Sequence, residues 1–117
     1  MTERPASGSP RDPPGVPRAS LCAELDQWLC DPPDRPVPPG PLFFYTQVKS
    51  ARATMVQHRW YRGDRLEKTE ELRIKVRPSG DRTFSRHILD GDSVGSWRVE
   101  LRAEDGGLLH EERFSVR

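Results

Sequence analysis

Eight residues near the C-terminal end constrain the fold of this chain more than any other feature. In Ser96-Trp97-Arg98-Val99-Glu100-Leu101-Arg102-Ala103 apolar and polar side chains alternate without a break. Trp97, Val99, Leu101 and Ala103 share one face; Ser96, Arg98, Glu100 and Arg102 share the other. A period of two over that length specifies a strand with one buried and one wet face. Glu104-Asp105-Gly106-Gly107 follows. It is a hairpin signal, because Gly adopts the positive φ of tight turns. A return strand ends in Arg113-Phe114-Ser115-Val116. The pattern predicts an antiparallel β domain.

The same reading extends backwards along the chain. Leu42-Phe43-Phe44-Tyr45-Thr46-Gln47-Val48 is rich in β-formers and predicts a central strand covered on both faces. From Ala53 to Tyr61, Val56, His58 and Trp60 alternate with Met55, Gln57, Arg59 and Tyr61. Leu66 to Val76 finishes with Leu72, Ile74 and Val76 at period two. Arg82 to Leu89 carries Phe84 and Ile88 at one parity, and Ser85 reads as an outward residue. Ser20 to Cys30 reads as a first strand. A short helix is its rival, because Leu21, Leu25, Trp28 and Leu29 also fall at i, i+4, i+7 and i+8. About seven strands with turn signals every ~8–12 residues predict an immunoglobulin-like antiparallel β-sandwich. The expected core is Leu42, Phe44, Val56, Trp60, Leu72, Ile74, Phe84, Ile88, Trp97, Val99, Leu101, Phe114 and Val116. Tyr61, with Phe43 or Tyr45, is expected to face outward. Leu109 has the wrong parity for Phe114 and Val116, and a β-bulge between Leu109 and Phe114 would bring all three inside.

Only 33% of the residues are hydrophobic, but the shortfall is local. Eleven of the twelve prolines lie in residues 1–41. Residues 1–19 read as a disordered Pro/Ser/Arg-rich arm, dispensable for folding. Residues 20–117 read as one domain, with 31–41 a Pro-rich connector. The two cysteines, Cys22 and Cys30, lie eight positions apart. On one extended strand that is roughly 26 Å, whereas a disulfide needs Cα atoms within ~7 Å. They can pair only if the chain reverses between them, and the expectation is two free thiols.

With 19 basic and 18 acidic residues the formal charge is +1, which gives no electrostatic footprint for nucleic acid. No apolar run is long enough to span a bilayer and none resembles a signal peptide, so the expectation is a soluble chain without direct membrane insertion, cytoplasmic by default. The family of candidate reaction groups is thin. His58, His87 and His110 fall on three different predicted strands, with no spacing that fixes a metal geometry. His58 shares the parity of Val56 and Trp60 and reads as a core-edge histidine bonded to a backbone carbonyl or an acid. Arg62-Gly63-Asp64 spells an adhesion tripeptide but reads as turn chemistry. Glu70-Glu71 and Glu111-Glu112 point to opposite faces on strands and cannot form acid/base pairs. No catalytic, metal or cofactor residue is assigned.

The leading expectation is a non-catalytic interaction module that binds a protein partner, or a second copy, through a sheet edge or an outer face. Tyr61, Arg65, Glu67, Lys68, Arg98 and Arg102 form the expected surface. Only Pro78 lies beyond residue 41 to blunt strand edges, so charge along Arg65–Glu71 is expected to protect them. Two alternatives carry their own signatures. A module for carbohydrate or an envelope polymer needs exposed aromatics lined up on one sheet. A small hydrolase or metal-dependent enzyme needs His58, His87 and an acid to converge.

Five stretches taken together resemble a known bacterial family: Phe43-Phe44-Tyr45-Thr46-Gln47-Val48-Lys49, His58-Arg59-Trp60-Tyr61, Arg82-Thr83-Phe84-Ser85, Gly95-Ser96-Trp97-Arg98-Val99-Glu100, and Asp105-Gly106-Gly107-Leu108-Leu109-His110-Glu111-Glu112-Arg113-Phe114. In this order they are similar to the domain of unknown function numbered 2914, over residues ~20–117. The resemblance implies a β-rich domain, usually C-terminal in its protein and often attached to membrane or exported segments. Here the preceding residues are a polar, Pro-rich arm. The family has no established activity, so the resemblance assigns no catalytic residue.

Overall fold

The computed structural model describes residues 13–117. Its strands are β1 (Gly15–Cys22), β2 (Glu24–Asp26), β3 (Leu29–Asp31), β4 (Gly40–Lys49), β5 (Thr54–Arg62), β6 (Arg65–Ile74), β7 (Asp81–Leu89), β8 (Gly95–Arg102) and β9 (Leu108–Val116). The long strands form two antiparallel sheets, β1-β4-β7 and β6-β5-β8-β9, and β2-β3 is a separate ribbon. The result is an all-β sandwich with the expected seven long strands. The tight turn at Gly63, where φ is +58°, makes β6 the hairpin partner of β5. The sheets therefore divide three against four, with β6 beside β5. In constant-type immunoglobulin domains the fourth strand belongs to the opposite sheet.

Parity decides what the sheets bury. Leu42, Phe44 and Val48 of β4 face Val56 and Trp60 of β5, Trp97, Val99 and Leu101 of β8, and Phe114 and Val116 of β9. Trp60 lies edge-on to Phe44 at 6.4 Å and to Phe114 at 6.3 Å, and Trp97 stacks on Phe114 at 6.1 Å. Burial of each such side chain contributes ~1.5–3 kcal/mol before chain entropy is subtracted.

β7 inverts the expectation. Ser85 pairs with Phe44 and faces inward; Phe84 pairs with Tyr45 and faces outward, as does Ile88 opposite Pro41. Phe84 and Ile88 are thus exposed and not part of the core, and Leu72 is only partly buried. Period two says which residues share a face, but not which face is buried. The inner row of β7 runs Thr83, Ser85, His87 and Leu89: only Leu89 is apolar, and Ser85 is buried because it meets other polar groups there.

Leu109 is the extra residue of a bulge: Leu101 pairs with His110 and Arg102 with Leu108. The irregularity expected on this strand is present at Leu109 itself, which packs partly buried against the core.

The N-terminal reading needs two corrections. β1 begins at Gly15, within the stretch expected to be disordered, and pairs with β4. Val16 and Ala19 pack against the core, so the ordered domain starts before residue 20; residues 1–12 of the expected arm lie outside the described residues. Nor is Ser20 to Cys30 one strand or a helix. β1 ends at Cys22, and β2 and β3 form a hairpin about Gln27 and Trp28, both at positive φ. This reversal brings the Cα atoms of Cys22 and Cys30 to 5.2 Å, and the two are joined in a disulfide instead of being free thiols. The turn carries neither Gly nor Asn, the usual residues at positive φ, and so has no local signature.

Candidate contact surface

The outer face of the three-stranded sheet is built from rows of paired residues. Arg18, Gln47 and Arg82 form one row; Ser20, Tyr45 and Phe84 the next; then Cys22, Phe43 and Arg86; and last Pro41 with Ile88. The β2-β3 hairpin is tethered to this face through Cys22. Trp28, at its turn, sets its ring 5.7 Å from Tyr45 and 6.1 Å from Phe84, and Phe43 lies 6.0 Å from Phe84. Tyr45 and Cys22 are buried beneath this cover. Phe84 stays 44% exposed, Ile88 54%, and Leu29, next to Trp28, 75%. The Trp28–Phe84 and Phe43–Phe84 ring planes meet at 67° and 57°. They form an apolar cluster, not the coplanar line that sugar rings stack on.

Arg18 lies over the Tyr45 ring at 5.6 Å. Arg18, Arg82 and Arg86 are all exposed. None of them forms an ion pair among the described residues, either with each other's strands or with Glu24, Asp26 and Asp31 of the hairpin.

The four-stranded sheet presents the opposite chemistry. Glu100 is only 3% exposed, held between Arg98 Nε at 3.2 Å and Arg102 Nε at 2.9 Å. Burial alone pushes its carboxyl up, but the hydrogen bonds and charge of Arg102 and Arg98 outweigh it and hold the group below its ordinary value. Arg98 also sits 4.0 Å over the Tyr61 ring and donates to the Gly63 carbonyl, and Arg102 donates to the Gly106 carbonyl. Tyr61, Arg98 and Arg102 of the expected surface are therefore brought together, but in bonds within the sheet. Arg65, Glu67 and Lys68 lie apart from them on the β6 edge, where Arg65 pairs with Glu67 and Lys68 with Glu70. A depression of about 250 Å³ is lined by Met55, Gln57, Arg59, Glu71 and Glu104, where Glu71 accepts from Gln57 and Glu104 accepts from Thr54.

Each outermost strand carries a device against pairing with another chain. β6 has its charges and a bulge at Glu67, since Trp60 pairs with Lys68 and Tyr61 with Leu66. On β7 the Arg86 carbonyl accepts a hydrogen bond from Lys68. β1 contains Pro17 and a register shift between Gly15 and Arg18. The end of β9 is bridged by Val37, whose N–H donates to the Ser115 carbonyl and whose carbonyl accepts from Arg117.

The histidines line the space between the sheets. His58 is buried, with Nε2 2.9 Å from Thr46 Oγ1 and Nδ1 2.7 Å from Ser85 Oγ. Trp60 Nε1–H donates to Ser85 Oγ at 3.1 Å, and Thr46 Oγ1 lies 3.3 Å from Thr83 Oγ1. One direction satisfies the whole chain: Trp60 N–H to Ser85, Ser85 O–H to Nδ1, Nε2–H to Thr46, Thr46 O–H to Thr83. That arrangement requires a neutral imidazole, and burial lowers its pKa to about 3. The histidine is in the core as expected, but its partners are hydroxyls, not a carbonyl or an acid. Ser85, expected to face outward, is 2% exposed at the centre of this network. A serine beside a histidine is the beginning of a nucleophile–base pair. Here both ring nitrogens are already bonded, and the serine is sealed from solvent.

His87 lies 5.6 Å from Trp60 and 5.3 Å from Trp97, and burial, then the Lys68 charge, lower its pKa. His110 meets Glu112 at 2.8 Å. The three do not converge on an acid, and the described residues hold no group of three His, Cys, Asp or Glu placed for a metal. Arg62 of the adhesion-like tripeptide donates to the Val94 carbonyl at 2.8 Å. Sequence reasoning missed Trp28, Phe84, Ile88 and the three arginines as surface. The one available signal was the pair Phe43 and Tyr45, whose parity opposes Leu42, Phe44 and Val48.

Comparison with known proteins adds a family. The profile described as "Protein of unknown function (DUF2914)" matches residues 53–116, from β5 to the end of β9. No curated protein matches the chain. Among solved structures, a β-glucosidase from Kluyveromyces marxianus is similar at 12% identity with a TM-score of 0.46. The match covers 86% of this chain and 14% of that one.

Proposed function

The chain belongs to the DUF2914 family of proteins of unknown function, and we propose that it is a non-catalytic binding domain whose contact surface is the outer face of the three-stranded sheet. One observation carries the reading: Phe84 stays 44% exposed against Phe43 and Trp28, and Ile88 is exposed two rows further along the same face of β7. Exposed apolar clusters ringed by polar residues mark protein contact sites. The protected edges of both sheets favour this face over strand addition. The tilt of the rings, and aliphatic Ile88 among them, favour a protein partner over a glycan. The Cys22–Cys30 disulfide supports an oxidising compartment in place of the cytoplasm expected by default.

The test is cross-linking in extracts of the source organism, with the parent and with a Phe84→Ser/Ile88→Ser double variant checked for retained β structure. The reading expects one dominant partner captured by the parent and lost by the variant. Equal capture by both, with loss on Tyr61→Ala instead, would move the surface to the other sheet.

A further inference from the structure

Building on that reading, we infer that this face accepts an acidic polypeptide segment, one in which carboxylates accompany apolar side chains. The two outer faces of the sandwich treat arginine differently. On the four-stranded sheet Arg98 and Arg102 share Glu100 and Arg113 pairs with Glu111. Of the others there, Arg59 donates to neutral Gln57, and exposed Arg73 forms no ion pair among the described residues but is the one such arginine on β6. On the three-stranded sheet Arg18, Arg82 and Arg86 form no ion pair among the described residues, and the outward positions of β1, β4 and β7 that pair across the sheet include no Asp or Glu. Along β7 the outward residues run Arg82, Phe84, Arg86, Ile88. Cation and apolar group thus alternate at a spacing of ~6–7 Å. An extended or helical segment seated on Phe43 and Phe84 brings its carboxylates within reach of guanidinium groups, which bind them in planar, two-point fashion.

The same charges argue against a second copy. A two-fold contact lays a surface on itself, and would set the arginine rows of β1 and β7 against their equals wherever the hairpin carboxylates Glu24, Asp26 and Asp31 do not meet them, which the sedimentation measurement reads. An anionic lipid surface shares the negative charge and is separated by experiment.

The probe is a random peptide display library selected on the immobilised, oxidised domain, followed by titration of an enriched peptide. Acidic, apolar sequences are expected. Arg82→Glu/Arg86→Glu is expected to weaken the peptide at least ~10-fold, as is added salt. Enrichment of basic or uncharged peptides overturns the inference. So does binding to phosphatidylglycerol vesicles without binding to acidic peptides, or self-association in sedimentation that Phe84→Ser abolishes. If Phe84→Ser removes binding and charge reversal does not, the acidic chemistry fails while the contact face stands. If neither matters, both fail.

Discussion

At the scale of single residues, the centre of this protein is a polar chain inside an apolar core. His58 joins the two sheets through Thr46 on β4 and Ser85 on β7, and Trp60 depends on the same serine. Ser85→Ala leaves two buried groups short of a partner and is expected to cost ~1–3 kcal/mol in urea unfolding. The pH dependence has a definite sign. The folded imidazole is held neutral, with its pKa lowered from 6.5 to about 3, so the unfolded chain takes up the proton first. The contribution is complete above pH 6.5 and is lost as pH falls toward 3, at ~1.4 kcal/mol per pH unit from this group alone. Glu100, whose carboxyl is held below its ordinary value, acts in the same direction at the acid end. Urea midpoints between pH 7 and 4.5 check this: the parent should weaken steadily on acidification, whereas His58→Leu should be less stable at pH 7 but flatter. A parent insensitive to pH across this window would contradict the neutral, buried imidazole.

At the scale of elements, the hairpin β2-β3 and the strand β1 are the parts that pattern reading handled worst. β8 was legible because Trp97, Val99 and Leu101 all face the core and Ser96, Arg98, Glu100 and Arg102 all take the opposite face, where Glu100 is covered by its two arginines. β7 was not, because Thr83, Ser85 and His87 of its inner row look like surface and only Leu89 there is apolar, while its outer row holds Phe84 and Ile88. Burial of polar residues there depends on His58 and Thr46, partners distant in sequence. β1 was hidden by its composition: Gly15, Pro17 and Arg18 give no strand signal, yet the strand has β4 to pair with. A chain starting at residue 20 is therefore expected to melt several degrees lower than one starting at residue 13, through loss of pairing along β4 and of the Val16 and Ala19 contacts. Equal melting temperatures would return residues 13–19 to the role of a dispensable arm. The hairpin is held differently. Closing so short a loop contributes ~2–3 kcal/mol in the chain-entropy picture. A Cys22→Ser/Cys30→Ser variant should keep the sandwich, seen by circular dichroism, while Trp28 fluorescence shifts to the red as its ring leaves Tyr45 and Phe84.

At the scale of the whole molecule, the sandwich has one face on which Arg98, Arg102 and Arg113 pair with carboxylates of their own sheet, and one on which Arg18, Arg82 and Arg86 form no ion pair among the described residues. Of the residues expected to meet a partner, Tyr61, Arg98 and Arg102 are already engaged within their own sheet. Sequence places Arg98, Glu100 and Arg102 on one face of β8, but it does not show that Glu100 is buried there to 3% exposure between its two arginines, because that burial depends on the neighbouring strands β5 and β9. Exposed charge is a weak guide to contact for that reason; exposed apolar area with unpaired cations is a better one. Side-chain radical footprinting of the cross-linked complex against the free domain tests this account most directly. It predicts protection of Trp28, Phe43 and Phe84 on binding, with Met55 and Tyr61 unchanged; protection of Met55 and Tyr61 with Phe84 still reactive would contradict it.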